Sequence, residues 1–321
     1  MNDADAILRI RCDNTEAGIA AHGGGIRFLS AADRAIIPLD TDRARSQWSS
    51  GATLAPWPNR LRNGRWEFEG EQLAVPASEA NGNALHGLVA HHVFAVESHA
   101  QDSITLRTHL GDDAGYPFPA EVRISYKLAG NGLTVRMSAR NTGVHRIPMA
   151  LGAHPYFPWK PGCTVQLDAS SFCEVDEILI PTGALVAPEA LGITPSQETP
   201  IDGIALDHCF TDLDRDVAGI ARTAITYPDG TRTVVWQDDA LPYVQVFTTT
   251  EECLWQSDTS HAIAIEPQTA PANAFNSRKD LVWLDPDDER TARAAWVGTP
   301  RPTNTRAALP WVDGGQGEQG Y

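Results

Sequence analysis

The sequence predicts an all-β protein, a sandwich or a large two-sheet assembly, on three observations. Apolar residues recur with a period of two, the runs that carry this period are short and separated by turn residues, and convincing helical periodicity is scarce. A period of two sends alternate side chains to opposite faces, so one face can bury while the other stays polar. In chain order, "GRWEF" (64–68) reads as a strand after the Trp57-Pro58 turn, and "ITLRTHL" (104–110) as a second. "EVRISYKL" puts Val122, Ile124, Tyr126 and Leu128 on one face, and "GLTVRMSARN" does the same with Leu133, Val135, Met137 and Ala139. Gly130-Asn131-Gly132 joins these two as a hairpin turn. "AITYPDGTRTVVW" folds back on Pro228-Asp229-Gly230, and "YVQVFTT" (243–249) is a further strand. The segment 187–203 reads as a long extended surface loop. Short helices are expected only around Ala31 to Ala35 and Glu289 to Ala295.

The chain has 321 residues, and no Pro/Gly/Ser-rich linker or constant-period repeat divides it. The expectation is one domain over residues 1–312, followed by a disordered tail, "DGGQGEQGY" (313–321). A formal charge of −16 disfavours a nucleic-acid phosphate backbone or an anionic membrane surface as partner. The opening "MNDADAILRIRCDN" lacks the basic-then-apolar pattern of a signal peptide, and no apolar run reaches the ~18 residues a membrane span needs. A soluble, cytoplasmic protein, monomeric or homodimeric, is therefore expected. Five cysteines, at 12, 163, 173, 209 and 253, contain no C-x-x-C pair and read as buried free thiols rather than disulfides or a zinc cluster.

Against this pattern several polar residues stand out. In "IAIEPQTAPANAFN", an apolar strand delivers one carboxylate, Glu266, into a proline-rich turn. A buried glutamate is costly to ionise unless it is compensated or its charge is used. By strand parity Glu266 shares a face with Ala262 and Ala264, whose small side chains leave room in front of it. Asn59 and Arg60 follow a Trp-Pro turn, and Arg60 suits either solvent or a carboxylate or sugar hydroxyl. His86, in "NALHGL", fits a satisfied core histidine as well as a functional one. His91 and His92 are adjacent, so on a strand they would point to opposite faces, which disfavours a metal site. His154 precedes "PYFPW", a rigid aromatic turn that serves as a core plug or, through its aromatic rings, as a stacking surface. Asp207 lies beside His208, and Gln245 shares a strand face with Tyr243 and Phe247, so it needs a hydrogen-bond partner if buried.

Taken in order, "NRLRNGRWEF", "LHG", "GAHPYF", "DHCF" and "EPQTAPANAFN" resemble the aldose 1-epimerase, or galactose mutarotase-like, family. The resemblance runs from the first strands to about Pro300. It implies a large antiparallel β-sandwich whose cleft binds a small sugar and needs neither metal nor organic cofactor. By matching motif it implies Glu266 as general base and His154 as general acid, with Asn59, Arg60, His86, Tyr156, Asp207 and Gln245 contacting the sugar. Such a pair would open and reclose the ring of a hexose, glucose or galactose by default, and so exchange its anomers. In water a glutamate is ionised at neutral pH and a histidine, with a pKa of about 6.5, can carry the complementary proton. Departures around His154 from the better-known galactose-processing members make the chain similar to a bacterial branch with unassigned sugars. Three rivals follow. A hexose-6-phosphate 1-epimerase would need cationic groups at the rim, for which Arg62 and Arg65 are nearest. A glycoside hydrolase would use Glu266 and Asp207 as its carboxyl pair. A non-catalytic sugar-binding protein would keep only the contacts.

Overall fold

The computed structural model describes residues 7–32, 34–130, 132–250, 254–256 and 260–299. The tail from Asp313 and Cys253 lie outside the described residues. Two large antiparallel sheets carry the molecule, one of nine strands and one of eight. The nine-stranded sheet centres on Ser103–Leu110, Ala120–Ala129, Gly132–Asn141, Glu289–Thr299 and Arg232–Gln237. The hairpin expected at 130–132 is present, with Ala129 paired to Gly132 and Ala120 to Asn141. In Ala120–Ala129 burial alternates as the sequence pattern requires, with Val122, Ile124 and Tyr126 inside.

The eight-stranded sheet runs from the edge strand Pro181–Val186 through Ala169–Val175, Asp207–Leu213 and Tyr243–Thr249 to His261–Gln268. Beyond it come Gly152–Ala153 and Thr53–Leu54, while Tyr156–Trp159 also pairs with His261–Gln268. A single hydrophobic cluster joins the two sheets: Val244, Val246, Ile263 and Ile265 from one side, Ile124, Val135, Met137 and Trp296 from the other. Each such side chain contributes about 1.5–3 kcal/mol by leaving water.

Both helices expected from the sequence are strands instead. Residues around Ala31 to Ala35 end one strand, Ile26–Ala31, and begin another, Arg34–Ile37. Glu289 to Ala295 lies in the eleven-residue strand Glu289–Thr299. Its backbone pairs with Gly132–Asn141 on one side and Arg232–Gln237 on the other, and these ladders outweigh the helix propensity of its alanines. Among the described residues the α-helices lie at Asp42–Trp48 and Ala274–Ser277. The first is capped by Thr41, whose hydroxyl accepts from the Ala44 N–H. Segment 187–203 is also more ordered than expected, with a 3-10 turn at Pro188–Leu191, a strand at Glu198–Pro200, and Ile193 and Ile201 buried. No helix among the described residues is long and apolar enough to cross a membrane.

Candidate active site

Strand His261–Gln268 is buried on both faces, and the two faces differ in kind. Ile263 and Ile265 enter the core, whereas Glu266 and Gln268 face the opposite way. Antiparallel register then aligns partners across the sheet. Glu266 lies opposite Gln245, and Gln245 opposite Cys209. One row further on, Ala264 lies between Phe247 and Tyr156, and Phe247 lies opposite Asp207. The small Ala264 side chain thus borders two aromatic rings, 6.5 Å apart and edge-on, which form one wall of the site. All three rings of the aromatic turn are buried, but Phe157 lies opposite the core residue Ile263 and Trp159 opposite His261, so by register it is Tyr156 that borders Ala264.

His154 sits in the two-residue link between Gly152–Ala153 and Tyr156–Trp159, both of which pair with the Glu266 strand. Its backbone is clamped by Ala52 and Gly51: the His154 N–H donates to the Ala52 carbonyl (3.0 Å) and its carbonyl accepts from the Gly51 N–H (2.8 Å). This brings His154 Nε2 to 3.3 Å from Glu266 Oε1, with the side chains only 4% and 2% exposed. The second Glu266 oxygen accepts from Gln268 Nε2 at 3.1 Å.

Arg60 and His86 arrive on a separate two-stranded ladder, Arg60–Leu61 against Ala84–Leu85. Asn59 organises both. Its Oδ1 accepts from the Arg60 N–H (2.8 Å) and its carbonyl accepts from the His86 N–H (2.8 Å). His86 itself has φ of 64° and is followed by Gly87 at 74°, a path that brings the His86 ring 4.6 Å from that of His154, edge-on. A Cβ at Gly87 would stand 2.2 Å from the Ala55 carbonyl oxygen. Gly87→Ala is expected to lower stability by about 1–3 kcal/mol, readable in thermal denaturation, and to weaken catalysis by shifting His86.

Arg60 is held between two carboxylates, Glu79 (3.0 Å) and Asp207 (3.3 Å). Asp207 also accepts from Gln245 Nε2 at 2.6 Å. The chain Glu79–Arg60–Asp207–Gln245 therefore ends beside Glu266, and all eight residues singled out in the sequence meet here. Two members were not anticipated. Gln268 stands two residues after Glu266 and so on the same face, a signal that strand parity alone carries. Glu79 lies in "PASEANGN", where nothing in the local pattern marks it.

Burial dominates the electrostatics. Desolvation pushes the Glu266 carboxyl well above the usual carboxylate range, with the nearby Asp207 adding to it and Gln268 and Arg60 opposing. Desolvation likewise pushes His154 down to about 4 and His86 well below its usual value. The expectation of an ionised Glu266 beside a protonated His154 holds in water. Removed from solvent, the contact favours the neutral tautomer, with one proton on the carboxyl and none added to the imidazole. Three buried polar atoms around the pair have no partner: His86 Nδ1, His154 Nδ1 and Gln268 Oε1.

His86, His154 and Glu266 each offer a donor atom within 4.8 Å of the others, the set among the described residues that could hold a metal ion. His91 and His92 are not part of it. They lie at a 3-10 turn, Val89–His91 and the residue after it, rather than on the strand assumed from the sequence. His92 is engaged by Asp113 (2.8 Å) and Thr108 (3.3 Å). Of the two cationic candidates, Arg62 is paired with Asp176, and Arg65 is exposed on the strand Arg65–Phe68. Cys12, Cys163, Cys173 and Cys209 are free thiols, as expected, with Cys12 only partly buried.

A buried carboxyl–imidazole contact ringed by polar groups, on one face of an antiparallel sheet, is an arrangement able to hold and pass one proton. The family model described as aldose 1-epimerase matches residues 7–295, and the chain belongs to the aldose 1-epimerase family. It is 31% identical over 245 residues to the uncharacterized Escherichia coli K12 protein YihR, covering 73% of this chain and 74% of that one. It is 27% identical over 221 residues to the galactose mutarotase of Rattus norvegicus, covering 62% of this chain and 59% of the rat protein. The crystal structure of the GalM/aldose epimerase homologue from C. elegans superposes with a TM-score of 0.80 at 19% identity, over 92% of this chain and 98% of that one. That likeness shows the galactose mutarotase-like fold.

Proposed function

We propose that the protein interconverts the α and β anomers of a free hexose, with glucose or galactose as the first sugars to try. The observation that carries this reading is the solvent-excluded Glu266–His154 contact, surrounded by unpartnered polar atoms. The pair holds one exchangeable proton whichever partner carries it. With the proton on His154, Glu266 takes the proton of the anomeric hydroxyl while His154 protonates the ring oxygen. The C1–O5 bond breaks and the open aldehyde forms. The pair is then neutral, the tautomer that burial favours. After rotation about C1–C2 the imidazole takes the proton from the O5 hydroxyl and the carboxyl returns one to O1, closing the other face. The starting state is restored with no net proton gained or lost. Direct transfer across the 3.3 Å contact converts the resting tautomer to the reactive one. Arg60, which opposes the rise in the Glu266 pKa, helps to stabilise the carboxylate.

Arg60, Asp207, Gln245, His86, Asn59 and Tyr156 would orient the sugar hydroxyls. Pairing of Arg62 with Asp176 weighs against a 6-phosphate rim, and an imidazole as the partner of Glu266 weighs against a hydrolase. Freshly dissolved pure anomers of a panel of sugars, with glucose 6-phosphate and nitrophenyl glycosides alongside, test the reading by polarimetry or exchange NMR. If no free sugar equilibrates faster than its buffer blank, the protein is a sugar binder rather than an epimerase.

The proton inventory also sets the pH dependence. The active pair carries one proton, a second adds only where His154 titrates, and that is pushed down to about 4. The acid limb of kcat/KM is therefore expected near pH 4, and the alkaline limb, where the single proton is lost, well above the usual carboxylate range. An acid limb near the ordinary histidine value of about 6.5 would show that His154 works from a solvated state.

A further inference from the structure

Two of the free cysteines lie together at the end of the cross-strand row that carries Glu266. Strands Ala169–Val175 and Asp207–Leu213 pair with Ser171 opposite Thr211 and Phe172 opposite Phe210. One further step of that register would set Cys173 opposite Cys209, and the two lie together with Tyr243 in one small buried cluster. Opposed residues in antiparallel strands have Cα atoms about 4.5–5.5 Å apart, inside the roughly 4.4–6.8 Å window of a disulfide. Cys209 is the outer member of the row that continues through Gln245 to Glu266. Cys173, 6% exposed, is among the residues lining a groove of about 890 Å³, together with Leu185, Thr211 and Tyr243.

We propose that Cys173 and Cys209 form a peroxide-sensitive dithiol whose disulfide slows the sugar reaction. The consequence for rate rests on the epimerase reading above; the bond itself does not. The neighbouring Cys209 thiol favours the thiolate of Cys173, held below its usual range, while burial helps to push Cys209 well up, which makes Cys173 the attacking thiolate. Its sulfur attacks one oxygen of hydrogen peroxide, the O–O bond breaks, and a sulfenic acid and hydroxide result. The Cys209 sulfur then attacks the sulfenic sulfur, losing its proton as water leaves. In sum two thiols and one peroxide give one disulfide and two waters. Drawing the sulfurs to bonding distance, about 2.05 Å, pulls on strand Asp207–Leu213. That strand carries Asp207, which holds Arg60 and Gln245. A shift of about 1 Å in such positioning groups costs up to 10²-fold in rate.

The test treats the reduced full chain with hydrogen peroxide, traps remaining thiols, and reads intact mass, linked peptides and anomer exchange. A Cys173–Cys209 peptide link, a loss of two hydrogens, and an exchange rate lowered about threefold or more and restored by dithiothreitol support the proposal. Cys173→Ser, a groove residue outside the catalytic contact, should form no link and keep its rate under peroxide. Overoxidation of Cys173 without a link, or a link with unchanged rate, overturns it. A reduced protein that exchanges no sugar sinks the epimerase reading instead, while the mass measurement still decides the bond.

Discussion

Glu266→Gln is expected to lower kcat for anomer exchange by about 10²–10⁴-fold while sugar binding is largely retained. The amide has the shape of the carboxyl but cannot take the anomeric proton. Its oxygen still accepts from Gln268 Nε2, as Oε2 does at 3.1 Å. The same substitution removes a carboxyl that burial disfavours, so the melting temperature should stay level or rise. That combination separates a lost chemical group from a damaged fold. Exchange NMR gives the rate, calorimetry the affinity, and a thermal melt the stability. A fully active Glu266→Gln enzyme would remove Glu266 from the chemistry.

Arg60→Met carries the second large expected effect. Arg60 is mostly buried between Glu79 and Asp207, 3.0 and 3.3 Å away. Without it two carboxylates face each other uncompensated, and the fold should lose about 1–3 kcal/mol, less than for a fully buried network because both acids retain some solvent. Catalysis should fall about 10²-fold, because Asp207 and Gln245 lose their anchor and the Glu266 carboxylate loses a nearby cation. Arg60→Met/Glu79→Gln removes one of the stranded charges and should recover much of the stability without recovering the rate. Recovery of both would make Arg60 a structural ion-pair partner alone.

Much of the site was legible because each residue sits in a short motif whose local chemistry is unusual. Glu266 at the end of an apolar strand, His154 before a proline-aromatic turn, and Arg60 after Trp-Pro are all visible within about ten residues of sequence. Glu79 was not, since its place depends on a loop that closes over Arg60 from nineteen residues away. Strand Glu289–Thr299 was misread for a similar reason: its partners, Gly132–Asn141 and Arg232–Gln237, are distant in sequence. The aromatic turn was half legible. Its rigidity was apparent, but which face each ring takes was decided by register: Tyr156 lies opposite Ala264, 4.9 Å from the His154 ring, while Phe157 lies opposite the core residue Ile263.

By itself the sequence determined the all-β class and the identity of the polar residues, because period-two alternation and turn chemistry are set by near neighbours. It also carried the family resemblance in five ordered motifs. The tertiary structure alone decided three things: the register that sets Gln245 across from Glu266, the Glu79–Arg60–Asp207 clamp, and which tautomer the buried pair prefers. Pairing and desolvation are long-range quantities. A side chain's pKa depends on what excludes water from it, and the groups that do so here come from segments up to two hundred residues apart.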